Sequence, residues 1–543
     1  MLLALLAALA SGGILPSLPL EDPAMPWLLR WDGRPGCHLP AYRPYPGEAV
    51  LACLEGLDTA ALPAADNFQR RRILARLDLR HDHPGDYGRR PLWRSGEADR
   101  DVVALDLGAS GYANFAGKRL PVVRRVMDYD TTWDTLSHDL VGGMVLHPRV
   151  DVLLGPEVAL WARLRQLTEI SDGKRWRKEF DADGGVYQTA LFAKGSDASF
   201  GRTSDWLEGG IEVDFPWLRG EAGVQRLRWG PMPVNPLMFS GNAEPMQWAS
   251  VRKNVGPVES EVLYGSPIGV SYEEDRKLYA HRTRVALSPW LPLEVGFSEV
   301  MISNGKSFQP LYIMPVFPLF FTGHYLGTPD NLLMDFDAAF RPAASVEFSG
   351  ELFLDDLQNA LGFFSNGWGN KWGLAFGARL SGWTGAGSLD LLQATRIEPW
   401  VYTTSSTDVP GAGYTTPVHF GTLLGHPSGP NSLTLDWIHR QDLSEAWSWT
   451  ARAQGLWKGT DTGSSWRDVN GEGLDKDGVL QVAHPTKSWL SGNLMKRTTL
   501  GAGLEWRFYG NWRAAGELAG VWQDSLGHRD LYPEVSLRLS WRE

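Results

Sequence analysis

The 543-residue chain contains only two cysteines, Cys37 and Cys53, and no run of about 20 apolar residues beyond its N-terminus. Without such a run it cannot cross a bilayer as helices. An oxidising periplasm would let the two cysteines pair, and the sequence leaves that pairing open. Positive charge is also in deficit. With 52 basic against 63 acidic side chains and a formal charge of −11, nucleic acid is a poor main partner. Catalytic signatures are missing too: there is no G-x-S-x-G, no H-E-x-x-H and no phosphate-binding loop. Asp355 and Asp356 are adjacent carboxylates, but neighbours on a strand point to opposite faces and do not readily share one substrate. The expectation is therefore a protein that is not an enzyme. No linker or repeat divides the chain into the several soluble domains its length would allow.

What the chain has in quantity is tryptophan, 25 residues, and glycine, 60 residues. The stretch WSWTARAQGLW (447–457) sets Trp447 and Trp457 ten positions apart. Between them Trp449, Ala451, Ala453 and Gly455 alternate with Ser448, Thr450, Arg452 and Gln454. WRAAGELAGVW (512–522) repeats the device, with Trp512 and Trp522 at the ends of one face and Arg513 and Glu517 on the other. Strict period two means a strand with one apolar and one polar face. Ten residues at about 3.3 Å rise, tilted by about 40°, climb about 25 Å, which matches the apolar band of an outer-membrane barrel between its aromatic girdles. Trp447, Trp457, Trp512, Trp522 and, on the last strand, Trp541 are the expected girdle residues.

The start, MLLALLAALASGG, has an apolar core and an Ala8-Leu9-Ala10 cleavage pattern, so residues 1–10 read as an export signal although a basic leader is missing. Residues 11–99 differ in character from the rest. PGEAVLACLEGL (46–57) and DNFQRRRILARLDLR (66–80) have helical spacing, the second opening on Asp66 as a cap. Arg70, Arg71 and Arg72 read as a solvated helix face rather than a ligand site. This segment is expected to be a small helical unit on the periplasmic side. From 100 to 543 strand follows strand, and about 16–18 are countable, an all-β transmembrane barrel with an even strand number.

Sidedness follows backwards from the last strand, EVSLRLSW, which should end in the periplasm. Short turns such as YGN (509–511) and QDLSEA (441–446) then fall inside. The long segments 458–500, 404–432, 355–371 and 302–330 fall outside, as outer-membrane barrels require. Within the last of these, PLYIMPVFPLFF (310–321) is strongly apolar. Its prolines and length exclude a spanning helix, and it is expected to fold into the lumen or line the rim, constricting the pore.

Several segments resemble the Wzi family of outer-membrane capsule-assembly proteins. They include GVQRLRWGPMPVNPLMFSGNAEP (223–245), LYAHR (278–282), VGFSE (295–299), DNLLMDFDAAFRP (330–342), GELFLDD (350–356), ATRIEPWVY (394–402) and GTLLGHPSGPN (421–431). The resemblance implies a large barrel behind a periplasmic helical portion. It also implies an outer-membrane lectin that holds capsular polysaccharide at the cell surface, among outer-membrane lipid and lipopolysaccharide. The residues themselves are compatible with sugar binding, which uses aromatic faces for pyranose rings and planar polar groups for hydroxyls. Expected contacts are Trp368, Trp372, Tyr414, Trp466 and Arg467 in external loops, with Arg226, Arg228 and Trp229 at the outer end of a strand. A passive porin is the alternative, since inward Arg452, Arg513 and Glu517 suit a channel equally. Finally, DVNGEGLDKDGV (468–479) places Asp468, Asn470 and Glu472 at alternate positions ahead of a glycine, like the first half of a calcium loop. Val479 stands where the bidentate Glu would be, so a structural Ca²⁺ is the weaker reading beside a solvated tip.

Overall fold

A computed structural model describes residues 14–542 apart from 80–90, 96–100, 117–138, 172–201, 269–275, 358–364, 404–414 and 475–479. Also outside the description are 216–217, 289–290, 304–306, 327–329, 420–421, 466–467, 509–510 and 526–527, and the single positions 21, 316, 469 and 471. The proposed signal, residues 1–10, therefore lies outside the described residues. No helix among the described residues is long and apolar enough to cross a membrane.

Eighteen antiparallel strands close into one barrel, at the upper end of the sequence-based count. In chain order they are β1 (Gly108–Ala116), β2 (Asp139–Leu146), β3 (Val158–Ser171), β4 (Arg202–Phe215), β5 (Leu218–Gln225) and β6 (Met246–Val255). Next come β7 (Val258–Ser266), β8 (Lys277–Ala286), β9 (Leu293–Ser303), β10 (Asn331–Ala343), β11 (Val346–Leu357) and β12 (Asn370–Ser381). The ring ends with β13 (Ser388–Ile397), β14 (Ser432–Asp442), β15 (Trp447–Lys458), β16 (Met495–Phe508), β17 (Trp512–Ser525) and β18 (His528–Arg542). β18 pairs with β1 from Glu534↔Ala116 to Arg542↔Gly108, which leaves the sheet without an edge. β3 pairs with β2 along its outer half and with Arg149–Leu154 along its inner half. That short strand continues into Val102–Asp106 and Pro91–Arg94, a side sheet branching from the wall.

Period two sets the faces. On β17 the even residues point to lipid, Leu518 at 59% exposure, while Glu517 on the other face pairs with Arg452 of β15 inside the barrel. The tryptophans read as girdle residues lie at or near strand ends. At the periplasmic end Trp447 and Trp506 stack at 5.4 Å with rings 8° from parallel. The row continues through Phe508 to Trp512 and Trp541. Trp457 and Trp522 occupy the outer end. A Cβ on Gly455 would come within 2.7 Å of the Trp457 ring, so only glycine lets that ring lie flat on the wall.

One side of the lumen is filled. The segment between β5 and β6 folds inward, where Trp229, Met232, Leu237, Met238 and Phe239 pack against inward Leu278, Val300, Leu333, Phe353 and Ile397. Wall carboxylates hold this plug by its backbone. Glu351 accepts the amides of Leu237 and Met238 (2.8 and 3.3 Å), and the Gln393 side chain accepts those of Val234 and Asn235. The apolar stretch 310–321 does not constrict the pore as expected. It forms a 3₁₀ turn (Pro310–Ile313) and leads into a helix (Leu319–Leu326) that lies on the outside of the wall. There Tyr312 and Leu319 pack on outward Tyr264, Tyr279 and Met301. The reason is chemical: β8 and β9 direct His281 and Glu299 outward. His281 bonds the Tyr312 carbonyl, and Glu299 accepts the first amides of the helix, from Leu319 and Phe320. Without this cover a carboxylate would face lipid.

Among the described residues three helices, not two, occupy the N-terminal part: α1 (Met25–Trp31), α2 (Gly47–Gly56) and α3 (Ala64–Leu77). Cys37 and Cys53 form a disulfide beside α2. Asp66 is not a cap. α3 starts after Pro63, and the Asp66 carboxylate is fully buried, accepting from Arg30 at 2.5 Å and from the Trp31 indole at 2.9 Å. Arg30, also buried, reaches Asp442 at 2.7 Å and the Gly387 carbonyl, both on periplasmic turns of the barrel. The helices therefore sit in the periplasmic mouth rather than preceding the barrel as a separate unit. The segment between α1 and α2 runs further in, and Tyr42–Arg43 pairs with Arg228–Trp229 of the plug.

Two outcomes test this arrangement. Ala451→Arg, on the lipid face near mid-strand, should cost about 2–4 kcal/mol of barrel stability, and Thr450→Arg, facing the lumen, close to nothing; equal losses in urea unfolding from detergent would show the register to be wrong. Arg30→Ala, which leaves the Asp66 carboxylate buried without its cation, should cost about 3–5 kcal/mol. It should make residues 25–77 protease-sensitive while the barrel still migrates in its folded, heat-modifiable form on a cold SDS gel.

Candidate functional site

At the outer mouth, β13 ends in a turn that carries much of the local strain. Trp400 (φ 72°) and Tyr402 (φ 64°) both adopt the left-handed conformation, which costs bulky residues on the order of 1–3 kcal/mol each. Surrounding bonds fix them there. The Trp400 amide donates to Gly463, the Tyr402 amide to Asp355, and the Tyr402 hydroxyl to the Leu237 carbonyl of the plug at 2.6 Å. Ser240 of the plug bonds the Gly425 carbonyl at 2.6 Å. Asn431 joins three loops through Glu398, Ser464 and Leu490. The segments 223–245, 394–402 and 421–431 thus meet as one scaffold.

On this scaffold lies a stack of aromatic rings and cations. The Arg396 guanidinium sits 4.0 Å from the Trp489 ring and 5.0 Å from the Trp372 ring. Glu398 holds it at 2.6 Å and Lys487 at 3.0 Å. Lys371 lies over Trp368 at 5.0 Å, and Trp368 meets Trp400 edge-on. Burial lowers the Lys487 ammonium from its ordinary value, opposed by the Glu398 carboxylate. Arg396 keeps 41% of its side chain exposed. Glu398 takes two of its five donors, leaving an edge that can grip a carboxylate or a pair of hydroxyls. Trp489, half-buried, offers a ring for a pyranose face.

The expected contact residues are distributed differently. Trp368 and Trp372 are in this cluster but buried, at 7% and 4% exposure, so they support the stack rather than face solvent. Arg226, Arg228 and Trp229 are not on the surface. They belong to the plug, where Arg228 donates to the Met232 carbonyl, Trp229 meets Phe239 edge-on, and Arg226 lies 3.6 Å from Glu244. The cause is that the chain after β5 turns into the lumen instead of continuing outward. Tyr414, Trp466 and Arg467 lie outside the described residues.

The calcium-loop pattern is engaged otherwise. Asp468 accepts the amides of Gly463 and Ser465, and Asn470 exchanges two hydrogen bonds with the His484 backbone. These side chains staple a turn instead of pointing at a common centre, and among the described residues no group of three or more potential metal ligands occurs. Nothing is described of the Glu472 side chain. Arg396, Lys487 and Trp489 were missed, although Trp489 in HPTKSWL carries the same loop-tryptophan signal that singled out Trp466.

Two buried histidines tie the scaffold to pH. Burial pushes His419 down to about 4 and His426 to about 3, the second aided by the nearby Lys458 ammonium. The Ile268 amide donates to His419 Nδ1 (2.9 Å), which leaves Nε2 to donate to the Pro245 carbonyl. Unfolded histidines bind protons below about pH 6.5. The folded ones do not until about 4, so stability is lost as pH falls through that window. Thermal unfolding followed by tryptophan fluorescence should shift downward from pH 7 to 4, and less so in His419→Gln/His426→Gln; an unchanged slope in that variant would assign the effect elsewhere.

No family model matches the chain, and no curated protein does. Among solved structures it is similar to Wzi of Escherichia coli, described as an outer-membrane protein involved in group 1 capsule assembly and a carbohydrate-binding β-barrel. The TM-score is 0.55 at 14% identity, over 97% of this chain and 99% of that one. OprD of Pseudomonas aeruginosa matches at a TM-score of 0.40 and 8% identity, over 81% of this chain and 95% of that one. The chain thus has, nearly end to end, the outer-membrane β-barrel fold of Wzi.

Proposed function

We propose that the protein is a non-catalytic outer-membrane lectin that holds an acidic capsular or other surface polysaccharide at the cell surface. The observation that carries this reading is the Trp489–Arg396–Trp372 stack, on the outward face of the wall beside the strained scaffold at the outer mouth. A stacking ring beside a guanidinium with free donors is suited to sugars that carry carboxylates. The likeness of the whole chain to a carbohydrate-binding barrel supports the same class of ligand. The plug and the luminal ion pairs disfavour the porin alternative. Asp355 is buried against Tyr402 while Asp356 faces Lys371 from an exposed position, so the pair does not converge as a hydrolytic site would need. Lipid and lipopolysaccharide are proposed as surroundings contacted by the girdle.

Arg396→Ala should weaken binding of an acidic polysaccharide by about tenfold or more, the scale of a lost charge-assisted hydrogen bond. Trp489→Ala should weaken acidic and neutral chains alike. Surface-plasmon measurements on detergent-solubilised protein check both, and affinities unchanged by either substitution would refute the assignment. In planar bilayers the wild type should be almost silent; a large steady conductance would favour a porin.

A further inference from the structure

The periplasmic mouth holds a second feature, independent of the outer stack. The N-terminal helices dock on the turns after β12 and β14, and between them and the wall formed by β17, β18 and β1–β3 is a cavity of about 240 Å³. Among the described residues seven arginines line it, and no aspartate or glutamate does. Arg163 and Arg165 come from the inner face of β3, Arg513 and Arg538 from β17 and β18, and Arg507 from the end of β16. Arg72 and Arg76 reach it from α3, so one member of the triple-arginine run faces this space rather than bulk solvent.

The carboxylates that partner these cations stand behind the lining. Glu208 bonds Arg163 (2.7 Å), Asp22 bonds Arg76 (2.5 Å), and Glu505 lies 3.0 Å from Arg507 and 3.5 Å from Arg513. Arg538 has no hydrogen bond or ion pair among the described residues and projects toward the like charge of Arg513. Concentrating seven guanidiniums in a chain of net charge −11 raises the local potential in a walled, low-dielectric space. The volume is too small for a folded partner and ample for one sugar unit or a phosphate.

We propose that this cavity binds a compact anion, a carboxylate- or phosphate-bearing group of monosaccharide size, from the periplasmic side. Guanidiniums arriving from the wall and from α3 grip its oxygens in forked pairs. Binding therefore also clamps the helices to the barrel.

The test is calorimetric titration of the full detergent-solubilised chain, at low salt, with glucuronate, inorganic phosphate and glucose. In an Arg396→Ala background, which removes the guanidinium proposed for the outer mouth, glucuronate, phosphate or both should bind at one site per chain and weaken as salt rises, while glucose should give much less heat. In that background Arg165→Gln and Arg538→Gln should each weaken the anion by about tenfold or more. If either wall variant no longer folds to a heat-modifiable barrel, Arg72→Gln, outside the wall, should give the same loss. The proposal is overturned if neither anion binds in the Arg396→Ala background, which would place any wild-type signal at the outer mouth, or if the cavity variants bind as tightly as their parent.

Discussion

The buried guanidinium of Arg30 joins the two halves of the molecule. It satisfies Asp66 of α3 and, across the chain, Asp442 and the Gly387 carbonyl of the barrel's periplasmic turns. A charge so deeply enclosed is tolerable only when every surrounding acceptor is in place, so helix packing and barrel closure are conditions on the same site. Asp442 in turn receives Arg507 and the Trp27 indole. The pattern recurs on the wall, where Asp32, buried yet held down at about 2 by the Arg379 and Arg341 guanidiniums, links the end of α1 to β10 and β12. Charges that look wasteful inside a protein here do the docking.

The rest of the lumen follows the same logic. An outer-membrane barrel must be apolar outside, so its inward side chains are the polar ones. Filling that polar interior needs backbone as well as side chains. The plug between β5 and β6 provides amides for Glu351 and Gln393 and takes a two-residue strand from the N-terminal part as its own partner. Tyr402 and Ser240 carry the connection on to the outer loops.

The wall was legible because lipid enforces period two over a fixed length. Trp447 to Trp457 and Trp512 to Trp522 were read as the two edges of that band, and the structure puts each pair on one strand. Sidedness was inferred from the clustering of long loops at one end. The plug was not. RWGPMPVNPLMF is rich in prolines and apolar groups, and such a loop reads the same whether it covers a surface or fills a lumen. PLYIMPVFPLFF was sent to the wrong side of the wall for a related reason: its own residues say only that it avoids water. The decisive residues were elsewhere, in His281 and Glu299, which the alternation of LYAHR and VGFSE turns toward lipid and which therefore need a cover. Of the candidate site, Trp368 and Trp372 were found but misplaced in depth. Arg396 escaped notice because its role depends on Trp489, 93 positions away in the chain.

The plug is a wall loop, with both ends anchored on neighbouring strands, β5 and β6, which pair with each other. A separate plug domain could be pulled out as a unit and leave an intact pipe. This one cannot be removed without unzipping the register of the strands that hold it, from Met246↔Gln225 downward. Mechanically, then, the barrel resembles a bolt forged to its own casing: tension applied to the plug is borne as shear by the wall itself.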